Sequence, residues 1–296
     1  MHVSNSQLTL YSQCPLHWKL RYIDRLSINH GSIHTLFGTA MHNTLQDYLT
    51  ILFNKSIKEA ESLDLYKMLL DNMVEEFTKI KDTHNVHICT KEDLVEFYND
   101  GVEIIKEFKA QRTSLFNTDE YDLIGCEIPL DVEISNGVKC IAYLDVVLCN
   151  KKNGMIKIID LKTATYGWNK YAKTDKAKVN QLVLYKYLYA TQYNIDITTI
   201  DIEYLILKRK LYENAKFKIN RMQKFTPASG HVTVGGVVRS LQKFVTEAFL
   251  LTSEYNMSAK YGSCKGVGNK NCTYCEFKNK PKLCDPKGRK TTLLLK

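Results

Sequence analysis

Asp145, Asp160 and Lys162 are the residues of this 296-residue chain whose types and spacing best combine into chemistry. They lie in two strand-like segments, Val138 to Asn150 and Met155 to Thr163, separated by the turn-forming run Lys151-Lys152-Asn153-Gly154. With those four residues as a hairpin loop, Asn150 faces Met155 and Asp145 sits opposite Asp160. Opposed residues on antiparallel strands have Cβ atoms about 4.5 to 5.5 Å apart on one face, so both carboxylates can ligate a single hard cation. Lys162, two residues beyond Asp160, projects to the same face by strand alternation. Such a cluster suits phosphodiester hydrolysis. Mg²⁺ or Mn²⁺ polarises the phosphate and lowers the pKa of bound water, while Lys162 orients the nucleophile or stabilises developing negative charge. Glu127, on the preceding strand, is placed to join as a direct or outer ligand. An arbitrary Asp-x-Lys is more often a surface ion pair. Here the flanks Ile156, Ile158, Ile159, Leu161 and Leu144, Val146, Val147, Leu148 are apolar, as in a buried sheet, where charges need partners.

The elements that must position these residues follow from periodicity. Residues 6 to 24 have helical character interrupted at Cys14-Pro15, and Gly38 to His42 leads into a second helix on which His42, Leu45 and Leu49 share a face. Residues 57 to 112 read as two or three helices. Strands are expected over 121–134, 138–150 and 155–163, a helix over 176–192, strands over 200–208 and about 214–225, and a helix over about 233–254. Strands gathered between flanking helices indicate an α/β or α+β domain with a central mixed sheet, of which α/β is the class expected.

Composition bounds the class. The chain is 44% hydrophobic and 25% charged, with five Pro and fourteen Gly, which excludes disordered, collagenous and coiled-coil proteins. No apolar run approaches the roughly 20 residues needed to span a bilayer, and the amino terminus has no export signal, so a cytosolic protein without membrane contact is expected. The formal charge is +9, and residues 260 to 296 carry ten basic side chains against Glu276 and Asp285. A basic tail attracts a polyanion such as nucleic acid, and is equally compatible with a merely solvated end.

Nine cysteines in a reducing compartment point to buried thiols or metal ligands rather than disulfides. Cys264, Cys272, Cys275 and Cys284 cluster near the carboxyl end, with Cys272 and Cys275 spaced as a metal knuckle. Read locally, these four suggest structural zinc. Cys89, Cys126, Cys140 and Cys149 are most simply small core residues.

Tyr143-Leu144-Asp145 followed by Ile158-Ile159-Asp160-Leu161-Lys162-Thr163 resembles the core motif of the PD-(D/E)XK nuclease superfamily in its RecB-like branch, and is similar to AddB-type and CRISPR-associated RecB-like exonucleases. Ser12-Gln13-Cys14-Pro15-Leu16 with Trp18 and Tyr22 is similar to the branch's amino-terminal signature. Gly38 to His42 matches its Gly-x-x-x-His, and Gln181-x-x-x-Tyr185 its glutamine-tyrosine motif. Ala142 stands where the branch often has Gly.

The resemblance implies a restriction-endonuclease-like core spanning 1–296, with 43–118 as a helical insertion and 255–296 as a Cys-rich basic segment. It implies metal binding by His42, Asp145, Asp160 and the Leu161 carbonyl, catalysis by Lys162, and supporting roles for Glu127, Gln181 and Tyr185. It also implies a 4Fe-4S cluster on Cys14, Cys272, Cys275 and Cys284, clasping the two chain ends and leaving Cys264 over. The expected activity is a metal-dependent DNA exonuclease acting on single strands or free ends in recombination, repair or phage and CRISPR DNA processing. Such a protein would work in a bacterial cytoplasm or that of a phage host, beside a helicase or recombination partner. The alternatives are a noncatalytic DNA-binding subunit and a structure-specific endonuclease.

Overall fold

The computed structural model describes residues 1–26, 30–213, 219–263, 270–273 and 275–284. The chain opens with β1 (His2–Val3), α1 (Asn5–Gln13), α2 (Pro15–Trp18) and a π-helical turn (Lys19–Ile23). Four helices follow: α3 (Ile33–Asn54), α4 (Ile57–Ser62), α5 (Leu65–His84) and α6 (Lys91–Leu115). Next come strands β2 (Tyr121–Ser135), β3 (Val138–Asn150) and β4 (Ile156–Ala164), then helices α7 (Lys170–Thr174) and α8 (Lys176–Tyr193). The last elements are β5 (Ile200–Lys208), β6 (Met222–Phe225), α9 (His231–Ala248) and α10 (Lys270–Thr273). Two compact units share these elements. The first holds Met1–Asn29, Leu130–Ala142 and Gly230–Lys296, the second His30–Pro129 and Tyr143–Ser229.

In the second unit β3, β4, β5 and β6 are neighbours in that order, and β2 pairs with β3. β3 and β4 run antiparallel, β4 and β5 parallel, β5 and β6 antiparallel, so the sheet is mixed as expected. The hairpin register is also the expected one: Val146 pairs with Ile159 and Cys149 with Ile156, and the Asn150 amide donates to the Met155 carbonyl at 2.8 Å. Pleating sends Ile159 and Leu161 to one face of β4. There they join Leu36, Phe37, Met41 and Leu45 of α3, with Leu69 of α5 and Phe108 of α6, in one buried core. Each such fully buried side chain stabilises the fold by about 1.5–3 kcal/mol relative to exposure.

Helix α3 begins at Ile33, five residues ahead of the expected start at Gly38. A capping box explains this: the Thr35 amide donates to the Ser32 hydroxyl, and the Ser32 amide to Thr35 Oγ1 at 2.8 Å. At Gly38 the helix passes β4 at a distance where a Cβ would make an ordinary 3.4 Å contact with Thr163 Oγ1. The expected strand over 214–225 is present as Met222–Phe225, and residues 214–218 lie outside those described. Helix α7, unforeseen from the sequence, starts where the Asn169 side chain accepts from the Ala172 amide.

In the first unit β1 runs parallel to the start of β3, with Val3 beside Cys140. Trp18 is fully buried, its ring surrounded by Tyr11, Phe244, Phe249, Tyr255 and Tyr261. Pro15 starts α2 and the Cys14 sulfur caps it, accepting from the His17 amide at 3.3 Å. Helix α9 ends at Ala248, short of the expected 254, where Phe249 bridges back to Tyr255. Among the described residues no helix is long and apolar enough to cross a membrane.

Candidate active site

Asp145 sits one residue before the paired stretch of β3, and Asp160 opposes it on the even-numbered face of β4. The Leu161 amide donates to Asp145 Oδ2 at 2.7 Å, so the hairpin itself orients that carboxylate. Lys162 Nζ lies 2.7 Å from Asp160 Oδ2. This contact is an ion pair by distance but lacks hydrogen-bond directionality, and the buried Oδ2 has no hydrogen-bond partner. From α3, His42 brings Nδ1 to 3.6 Å from Asp145 Oδ2, with the Leu161 backbone nearby. The four residues expected to bind metal therefore meet in one place.

Burial sets their protonation. It pushes Asp145 and Asp160 each up to about 6, against the pull of Lys162. His42 is pushed down to about 4, first by burial and then by Lys162, so its imidazole is neutral at pH 7 with a lone pair to donate. Burial opposes the charge on Lys162, but Asp160 and Asp145 outweigh it and hold the ammonium above its ordinary range.

Glu127 lies on β2 with a left-handed backbone (φ 51°), at a point where the inward and outward alternation slips by one residue. Gly125 permits the slip, since a Cβ there would meet Ile128 Cδ1 at 2.6 Å. Bulges of this kind re-aim side chains beside active sites. The Glu127 carboxylate accepts from Gln46 Nε2 at 2.7 Å, and the same amide donates to the Asp145 carbonyl at 3.0 Å. Gln46 was not singled out from the sequence. Its position one helical turn after His42 was the available signal.

On α8, Gln181 Nε2 donates to the Tyr185 hydroxyl at 2.8 Å, as their spacing anticipates. Burial first, then the Asp160 charge, pushes Tyr185 up to about 12, so the phenol keeps its proton.

Two carboxylates, a neutral imidazole and a backbone carbonyl fit a hard divalent cation, and the buried Asp160 carboxylate, ion-paired with Lys162 but short of hydrogen-bond partners, is where such an ion would add a second positive partner. Among the described residues no group of three or more His, Cys, Asp or Glu side chains is already closed tightly enough to hold a metal ion.

In the first unit Cys14, Cys272, Cys275 and Cys284 line one small cavity with Leu16, His17, Leu20 and Phe277. The Cys272 sulfur is engaged in a disulfide, which must open before it can act as a thiolate ligand. Cys264, Tyr274 and residues 285–296, which hold much of the basic tail, lie outside those described.

The PD-(D/E)XK nuclease superfamily profile matches residues 2–280, and the chain belongs to that superfamily. No curated protein matches it. Among solved structures, it is similar to a Eubacterium rectale protein provisionally assigned as an exonuclease. The identity is 10% and the TM-score 0.46, over 82% of this chain and 77% of the other. It is also similar to VC1899 from Vibrio cholerae, with 11% identity and a TM-score of 0.25 over 71% and 49% of the two chains.

Proposed function

We propose that the protein is a metal-dependent deoxyribonuclease of the RecB-like branch, an exonuclease on single-stranded DNA or DNA ends. The whole chain would form one nuclease domain, with 43–118 inserted and 255–296 as its Cys-rich segment. The observation that carries this reading is the convergence of His42, Asp145 and Lys162 on the buried Asp160 carboxylate, which Lys162 pairs at 2.7 Å. Mg²⁺ or Mn²⁺ bound there would polarise the phosphate and lower the pKa of its water. His42, Asp145, Asp160 and the Leu161 carbonyl are the residues to hold it. Lys162, kept charged, stabilises negative charge developing on the phosphate. The Tyr185 hydroxyl, already accepting from Gln181, has its proton left to donate to the strand. Glu127 and Gln46 fix the direction of Asp145.

The cavity lined by Cys14, Cys272, Cys275 and Cys284 supports a 4Fe-4S cluster as a structural clasp within the first unit. Cys14 lines it, which favours this set over a zinc site built with Cys264. Anaerobically purified protein should contain iron and acid-labile sulfide, both lost in Cys14→Ala. Zinc without iron would reject the cluster.

The deciding experiment is cleavage of end-labelled linear and covalently closed circular single-stranded DNA with Mg²⁺ or Mn²⁺, beside Asp160→Ala. Cleavage of linear DNA alone, absent in the variant, is the expected result. Cut circles would make the protein an endonuclease, and no cleavage by folded, DNA-binding protein would make it a noncatalytic subunit.

A further inference from the structure

Beyond the end of β4 two tyrosines form an exposed stack. The Tyr166 and Tyr212 ring centroids are 4.7 Å apart with planes 12° from parallel, yet the residues are 49% and 62% exposed. Ring faces left open to water in a chain with so large a core call for a function. The backbone beneath them is fixed. The Lys210 amide donates to the Thr165 carbonyl at 2.7 Å, tying the two tyrosine-bearing segments together. The Gln223 side chain holds Trp168 from both sides, accepting from its amide at 2.7 Å and donating to its carbonyl at 3.0 Å. Between them Gly167 turns with φ +89°, and any Cβ there would meet Gln223 Oε1 at 2.8 Å. The rings are thus presented on a preorganised support.

The surrounding charge is positive. Lys170, Lys173 and Lys178 lie over the rings of Tyr171, Phe225 and Trp168 at 5.1 to 5.6 Å. Among the described residues none of the three forms an ion pair with a carboxylate, whereas Lys210 pairs with Glu96 and Asp100. Lys178 stands one helical turn before Gln181 on α8, on the side of the helix that also carries Gln181. Flat aromatic faces beside unneutralised cations match the two parts of an unpaired nucleic-acid strand, its bases and its phosphates. A duplex, with its bases already stacked on one another, offers nothing to such faces.

We infer that the Tyr166–Tyr212 stack is a platform for an unpaired base of the strand whose phosphate occupies the Asp145–Asp160–Lys162 site. The inference rests on the nuclease reading and gives its single-strand preference a physical site. It is tested by fluorescence anisotropy with the whole chain carrying Lys162→Ala, so that the strand is not consumed. The probes are fluorescein-labelled oligothymidylate and a long blunt duplex of two complementary strands. Adding Tyr166→Ala with Tyr212→Ala should weaken oligothymidylate binding on the order of tenfold or more and leave duplex binding unchanged. The Tyr166→Phe with Tyr212→Phe pair, which keeps both ring faces, should bind like its parent. Unchanged oligothymidylate binding by the alanine pair, or an equal loss for both probes, would overturn the platform alone. A parent that binds neither probe overturns the nuclease reading with it.

Discussion

The Leu161 amide donates a 2.7 Å hydrogen bond to Asp145 Oδ2, so a residue of β4 aims a carboxylate of β3. The bond leaves Asp145 Oδ1 unspent and links the two acids through the hairpin register. An asparagine in place of Asp145 can still accept this bond while losing the charge. Asp145→Asn should therefore fold with a near-normal melting temperature and cleave DNA about 10²–10³-fold more slowly, by analogy with removal of one preorganised electrostatic group. Thermal melting and single-turnover cleavage measure the two effects separately.

Gln46 is a positioning residue, bridging Glu127 and the Asp145 backbone. Gln46→Leu should raise the Mg²⁺ concentration needed for half-maximal cleavage by about 10–100-fold, the usual effect of losing an outer hydrogen-bond partner of a metal ligand. Saturating metal should restore most of the rate. A rate lost equally at all metal concentrations would contradict this role.

The raised Asp145 and Asp160 values fix the sign of a stability effect. Both carboxyls titrate near 6 in the folded chain, above their ordinary range, so the folded state holds protons that the unfolded state has already released. Metal-free stability from these groups is present at low pH and is lost as pH rises from about 4 through 6. Mg²⁺ should reverse that loss, contributing about 1.4 kcal/mol at ten times its dissociation constant. Melting curves at pH 5 and pH 7.5, with and without Mg²⁺, should show the larger metal-induced shift at pH 7.5.

Arg209 is buried and donates to Asp100 Oδ2 at 2.7 Å, with its guanidinium 3.5 Å from the centre of the Phe97 ring. Asp100→Ala leaves that guanidinium without its carboxylate and should cost about 3–5 kcal/mol. Urea denaturation would register it as a lower midpoint, and a shift under 1 kcal/mol would show that Lys210 or water relaxation compensates.

The hairpin was legible because its loop length fixes everything after it. Once Lys151 to Gly154 is the loop, the facing of Asp145 and Asp160 follows by counting, and the observed pairing of Val146 with Ile159 agrees. Gln181 and Tyr185 were legible for the same reason, as one turn of helix separates them. Contacts that depend on where separate elements dock left weaker traces. Gln46 reads as one more polar residue on α3 until β2 is placed against it, and Tyr166 and Tyr212 are 46 positions apart by number yet stack. The early start of α3 lay in Ser32 and Thr35, a Ser-x-x-Thr pair that only weakly resembles a capping box with Glu or Gln. Glu127 was recognisable as an acid, but its left-handed backbone was not, because that conformation is imposed by the strand slip at Gly125.

The aromatic ring around Trp18 also sets a timetable for synthesis. Trp18 is made before the entire second unit, while Phe244, Phe249, Tyr255 and Tyr261 are made only after it. At about 5–20 residues per second the indole waits on the order of ten seconds or more for its neighbours. During that interval α1 and α2 present an unsheltered apolar surface, a natural client for chaperones that meet nascent chains. The β3–β4 hairpin is complete far earlier, so the second unit can assemble before the first has the material to close.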